Sequence, residues 1–144
     1  MNPQEIADQL RAISSSDDFA FESEKIVEDW ISSSVGFECV ESVLRFMEDY
    51  PAIDFGIPGA LVHYLEKWHG KGYEEKLIES ICRKPTPHTV WMLNRLINGE
   101  KSINLKRKYI EVMEKAKHNP LANSIALDQM RRFIERARRI WPDS

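Results

Sequence analysis

The sequence predicts an all-α fold of about eight short helices in stacked antiparallel hairpins. Three observations predict it. Apolar residues recur at i, i+3 or i+4 and i+7 through almost every segment, and no stretch alternates in the way a half-buried strand does. Pro, Gly, Ser and Asn clusters separate those segments. Pro58, Pro87 and Pro120 stand at three helix openings, with spacings of 29 and 33 residues. Such a period holds two helices and two turns. One hairpin cannot bury its apolar face alone, so stacking is expected.

Taken in order, Asn2-Pro3-Gln4-Glu5 reads as a helix start, with Asn2 as cap and Glu5 closing a capping box. Ile6, Leu10 and Ile13 form its stripe, and the polar run 14–18 ends it. A second helix is expected over about 20–33 with Ile26, Val27, Trp30 and Ile31 inward. A third is expected over about 37–49 with Val40, Val43, Leu44 and Met47 inward, stopped by Tyr50-Pro51. After a loop over 51–59, a fourth helix (about 58–68) presents Leu61, Tyr64, Leu65 and Trp68. Gly70-Lys71-Gly72 makes a tight turn. The fifth (about 73–83) buries Tyr73, Leu77, Ile81 and Cys82. The sixth (about 87–98) is capped by Thr86, ends at Gly99, and is apolar around most of its circumference, hence the most buried. The seventh (about 103–117) carries Leu105, Tyr109, Val112, Met113 and Ala116. Asn119-Pro120 opens the eighth, about 120–140, before Pro142. Helices of about 12 residues are marginal alone in water, so packing must hold them.

The run Asp54-Phe55-Gly56-Ile57-Pro58-Gly59-Ala60-Leu61, the stretch from Lys84 to Arg95 and the Asn119-Pro120 opening resemble HEAT-like helical-repeat proteins (an α-solenoid or a compact helical bundle). More narrowly, they are similar to small immunity proteins encoded beside bacterial polymorphic or contact-dependent toxins. The resemblance covers roughly residues 20–138. It implies a protein that binds a cognate toxin domain, often a nuclease, and occludes its active site. It carries no catalytic residues to this chain, and the first two helices lack the proline opening.

At 144 residues with 42% hydrophobic content, a single domain spanning 1–144 with a continuous core is expected. No apolar run approaches the roughly 18–20 residues that span a bilayer. The polar start shows no signal-peptide pattern. A cytoplasmic protein without a membrane partner is therefore expected. Cys39 and Cys82 sit among apolar positions outside any CxxC pattern, which suits two buried, reduced thiols. The net charge of −3 conceals an asymmetry. Residues 1–72 carry 14 Asp/Glu and 5 Lys/Arg, a net of −9; residues 73–144 carry 9 and 15, a net of +6. The acidic half is placed to steer a basic partner; the plainer account is ordinary surface charge, with the halves attracting each other.

A search for chemistry finds little. His63, Glu66 and His69 fall at i, i+3 and i+6, which turns the two imidazoles about 120° apart, so no metal site is expected. Glu28, Asp29, Asp49 and Asp54 supply carboxylates, but charged helix faces account for them without a hydrolytic pair. No GxSxG elbow or phosphate-binding glycine loop occurs. No enzymatic activity and no cofactor are expected. Arg131, Arg132, Arg136, Arg138 and Arg139, with Lys101, Lys106, Arg107 and Lys108, form a basic cluster. The overall negative balance argues against nucleic acid as partner, although HEAT-like folds include DNA binders. Trp30, Trp68 and Trp91 read as core, and Trp141 as partly exposed.

The expected function is therefore an immunity protein that neutralises a basic toxin domain, possibly a nuclease. A general helical-repeat adaptor is the alternative, and a nucleic-acid binder ranks below both. The expected contact set is Asp17, Asp18, Glu28, Asp29, Glu48, Asp49 and Asp54, with Trp68 and His69 as anchors.

Overall fold

A computed structural model describes residues 1–143. They form eight α-helices: α1 Pro3–Ala12, α2 Phe19–Ser32, α3 Cys39–Asp49, α4 Gly59–Leu65, α5 Tyr73–Arg83, α6 Pro87–Gly99, α7 Ile103–Ala116 and α8 Ser124–Ile140. A single 3₁₀ turn, Glu66–Trp68, extends α4. Among the described residues there is no strand, and no helix is long and apolar enough to cross a membrane. The chain divides into two compact units, Met1–Lys76 and Leu77–Ser144, the boundary falling inside α5.

In the first unit the principal pairings join alternate helices, α1 to α3 and α2 to α4, with α3 also touching α4. The Asn2 side chain accepts from Glu5 N at 2.9 Å, starting α1 as its sequence suggests. Ile6 and Leu10 are fully buried, as are Val40, Val43, Leu44 and Met47 of α3. Each such side chain contributes about 1.5–3 kcal/mol of transfer free energy. Trp30 is also fully buried and its Nε1 donates to Gln9 Oε1 at 2.8 Å, so the indole hides its apolar body and keeps its polar handle satisfied. Tyr64 packs on Trp30 at 5.5 Å between ring centroids and donates its hydroxyl to Val35 O at 2.7 Å. Phe19, Phe46 and Phe55 close the other end in edge-to-face contacts at 5.6–6.0 Å.

The second unit is a three-helix arrangement in which α6, α7 and α8 each pack on the other two. Thr86 Oγ1 accepts from Thr89 N, and Thr86 N donates to Thr89 Oγ1 at 3.1 Å, a reciprocal box at the start of α6. Val90, Met92, Leu93, Leu96 and Ile97 are buried.

Several expectations are corrected. Pro120 opens no helix: it lies in a turn, and α8 starts at Ser124 with Asn123 Oδ1 accepting from Ala126 N at 2.8 Å. Pro58, joined to Ile57 by a cis bond, precedes α4 without a side-chain cap. Of the three prolines, only Pro87 begins its helix as expected. Gly99 is the last helical residue of α6, not the residue after it. Ile31, Leu105 and Cys82 are exposed. The reason is common to the first two. The buried stripe of α2 is Phe19, Ser23, Ile26, Trp30, and that of α7 is Lys106, Tyr109, Ile110, Met113, Ala116. Ile31 stands one helical step of about 100° from buried Trp30, and Leu105 one such step from buried Lys106, so each faces out. Cys82 likewise stands one such step from the buried Ile81.

Candidate interaction surface

The α1–α2 turn and the loop before α4 bring three of the expected contact residues together. Asp17, Asp18 and Asp54 line one depression of about 330 Å³, with Ser16 and Ile53 beside them. Local hydrogen bonds set its walls: Ser16 Oγ accepts from Asp18 N at 3.1 Å, and Asp54 Oδ1 accepts from Gly56 N at 2.9 Å. Among the described residues none of these three carboxylates is in an ion pair. The loop that carries Asp54 turns sharply at Gly56, whose φ is +95°. A Cβ there would lie 2.6 Å from Gly59 Cα, so only glycine fits. That turn leaves Ile57 88% exposed at the loop's tip.

The other expected contacts do not join this group. Glu48 is buried, which removes it from any contact set. Asp49 lines a separate depression of about 320 Å³ over α1 and α3, together with Arg11, Glu41 and Arg45. Its charge there adds to the field that raises the Arg11 pKa, an effect led by the Arg11–Asp8 hydrogen bond at 2.7 Å. Glu28 and Asp29 are exposed but sit about 11 residues further along α2, roughly 16 Å in axial rise from Asp17 and Asp18. Trp68 is half-buried rather than protruding, edge-on to Tyr64 at 5.4 Å and Phe37 at 6.2 Å. His69 is exposed, 3.8 Å from Glu74 Oε2; Glu74 in turn accepts from Gly70 N and clips the turn. Among the described residues no three His, Cys, Asp or Glu side chains gather as a metal would require.

Set against known proteins, the chain matches no family model, no curated protein and no solved structure. The geometry therefore carries the reading by itself.

The two cysteines occupy different surroundings. Cys39 is fully buried, and desolvation pushes its thiol pKa up to about 12. Cys82 is exposed beside a depression of about 340 Å³ between α5 and α7 that also holds Val112 and Asn119. Sequence reading also missed Ile57. The available signal was an isoleucine held between Gly56 and Pro58 in a loop, off any helical stripe.

The basic cluster is less uniform than its sequence. Lys106 is buried, with Nζ donating to Ile97 O at 2.7 Å and standing 3.9 Å over the Trp141 ring. It closes the last turn of α6, where carbonyls lack partners. Arg138 bonds Glu114 at 2.7 Å and Lys117 bonds it at 2.9 Å. Those bonds, Lys117 first, hold the Glu114 carboxyl below its ordinary pKa. Arg132 pairs with Asp128 at 3.2 Å, and Arg107 donates to Asp143 O at 2.6 Å.

Proposed function

We propose that this protein is an inhibitor of the immunity type, which neutralises a basic protein, such as a nuclease toxin domain, by covering its active surface. The observation that carries the reading is charge that follows the compact units. Unit 1 holds 16 Asp/Glu against 6 Lys/Arg, a net of −10; unit 2 holds 7 against 14, a net of +7. A field of one sign on one body steers an oppositely charged partner and raises its association rate. Affinity needs an apolar anchor as well, and exposed Ile57, three residues after Asp54 on the same loop, supplies one. The alternate-helix pairing of α1 with α3 and α2 with α4 supports the stacked-hairpin character that such binders present.

The test begins with the gene adjacent to this one. Its product, expressed alone, is expected to arrest bacterial growth, and co-expression of this chain is expected to restore it. A variant combining Asp17→Lys, Asp18→Lys, Asp54→Lys and Ile57→Asp should fold with the parental circular dichroism and lose protection. A harmless neighbour, or full protection by the quadruple variant, refutes the reading.

A further inference from the structure

A second surface lies on α8. From residue 131 to 139 every exposed side chain is charged, the buried positions being Ile134 and Ala137 and the half-buried one Phe133. Arg132 and Arg138 are held by Asp128 and Glu114. Arg131, Arg136 and Arg139 are in no ion pair among the described residues. At about 100° and 1.5 Å per residue, these three fall within an arc of about 140° and an axial rise of about 12 Å. Exposed Glu135 falls at about 40° on the same arc, so the strip carries three cations against one carboxylate, on a unit whose net charge is +7.

We propose that this strip binds the phosphate backbone of nucleic acid, through the phosphates and not through the bases. The cations are all arginine, whose planar fork meets phosphate oxygens two at a time. An acidic protein would offer carboxylates to the same forks. Protein interfaces, however, take most of their affinity from buried aromatic or aliphatic anchors, and α8's exposed isoleucines, Ile125 and Ile140, fall outside the span from Arg131 to Arg139. Backbone phosphate binding needs no anchor, because it is driven by release of condensed counterions. The negative total charge that argued against nucleic acid is not spread evenly. The excess of carboxylates belongs to unit 1. The strip is independent of the acidic group assigned above to a protein partner, so either assignment can fail alone.

The probe is a fluorescein-labelled mixed-sequence duplex of about 20 base pairs, titrated with the full chain and read by anisotropy. With three phosphates neutralised, the slope of log affinity against log salt is about −2.7, so raising salt from 50 to 200 mM should weaken binding about 40-fold. The triple variant Arg131→Gln, Arg136→Gln, Arg139→Gln should lose at least about tenfold in affinity at 50 mM and flatten the slope. The matching triple lysine variant should keep the salt slope, which separates lost charge from lost fold. No anisotropy change at 50 mM salt overturns the proposal, as does unaltered affinity in the glutamine variant. Displacement by polyglutamate as readily as by unlabelled duplex also overturns it, and assigns the strip to an acidic protein.

Discussion

Asn119 offers the sharpest test of how the second unit is held. By sequence it looks like the cap of a helix opening at Pro120, and in that role aspartate would serve as well as asparagine. In the structure it does something else. Its Nδ2 donates to Cys82 O at 3.0 Å and Arg83 O at 3.4 Å, the last two carbonyls of α5, and its Oδ1 accepts from Leu121 N at 2.9 Å. Those carbonyls have no partner within their own helix. Asn119→Ala removes two well-formed bonds and one long one, which at about 1 kcal/mol for each good bond costs about 2 kcal/mol. With a denaturant slope of about 2 kcal/mol/M, the urea midpoint should fall by about 1 M. Asn119→Asp should be worse still by about 1 kcal/mol, because a carboxylate oxygen then faces two carbonyl oxygens. That excess should shrink as pH falls towards about 4, because the opposing carbonyls raise the carboxyl's folded pKa and its protonated form can donate again. The readout is urea unfolding followed by circular dichroism at pH 7 and pH 4. An aspartate variant as stable as the parent at pH 7 would restore the capping role and refute the bridging one.

Two further outcomes follow from the titrating groups. Treated with a thiol-specific disulfide reagent at pH 8, the native protein should react quickly at Cys82 alone, with Cys39 appearing only in denaturant, since it is fully buried and its thiolate is strongly disfavoured; two thiols reacting at one rate would contradict this. Glu114 has a folded pKa below its unfolded value, so its contribution is present above about pH 4.3 and is lost as pH falls through the lower folded value. Glu114→Gln should therefore cost less than about 1 kcal/mol at neutral pH, and its urea midpoint should converge on the parent's in acid; a gap that widens on acidification reverses the sign of the argument.

Helix number and most boundaries were legible because local chemistry punctuates them. Thr86-Pro87 permits few backbone paths, Gly70 and Gly72 take the positive φ that other residues rarely adopt, and α5 runs over Tyr73–Arg83 as its periodicity indicates. The misreadings arise where a residue's partner is remote in sequence. Asn119 and Asn123 stand four residues apart, and Asn119 is taken up by α5's end, 36 residues earlier, while Asn123 caps α8. Ser23 and Lys106 look like surface residues because their types are polar. Ser23 Oγ donates to Ala20 O at 3.0 Å, and Lys106 Nζ donates to Ile97 O at 2.7 Å, so each buried polar group has a partner. A periodicity read on apolar residues alone then drifts to Ile31 and Leu105, which face outward.

The same distinction governs the functional surfaces. Net charge by region was readable from composition, and its change of sign falls close to the division between the two units. Which charges remain available to a partner depends on packing that composition does not encode. Glu48 and Lys106 count equally with Asp54 and Arg136 in a charge tally, yet burial removes the first two from recognition. Asp49 lies beside Arg11 and Arg45, and Arg138 is held by Glu114, so their fields are partly cancelled before any partner arrives. Among the exposed charges that remain, Asp17, Asp18 and Asp54 gather around one depression, and Arg131, Arg136 and Arg139 lie along one helix face. Desolvating a charge that already has a partner costs more than its new contact returns, whereas an unpaired exposed charge brings no prior bond to break. Recognition should therefore concentrate on these residues, and reversing charges that the fold already neutralises should alter stability more than binding.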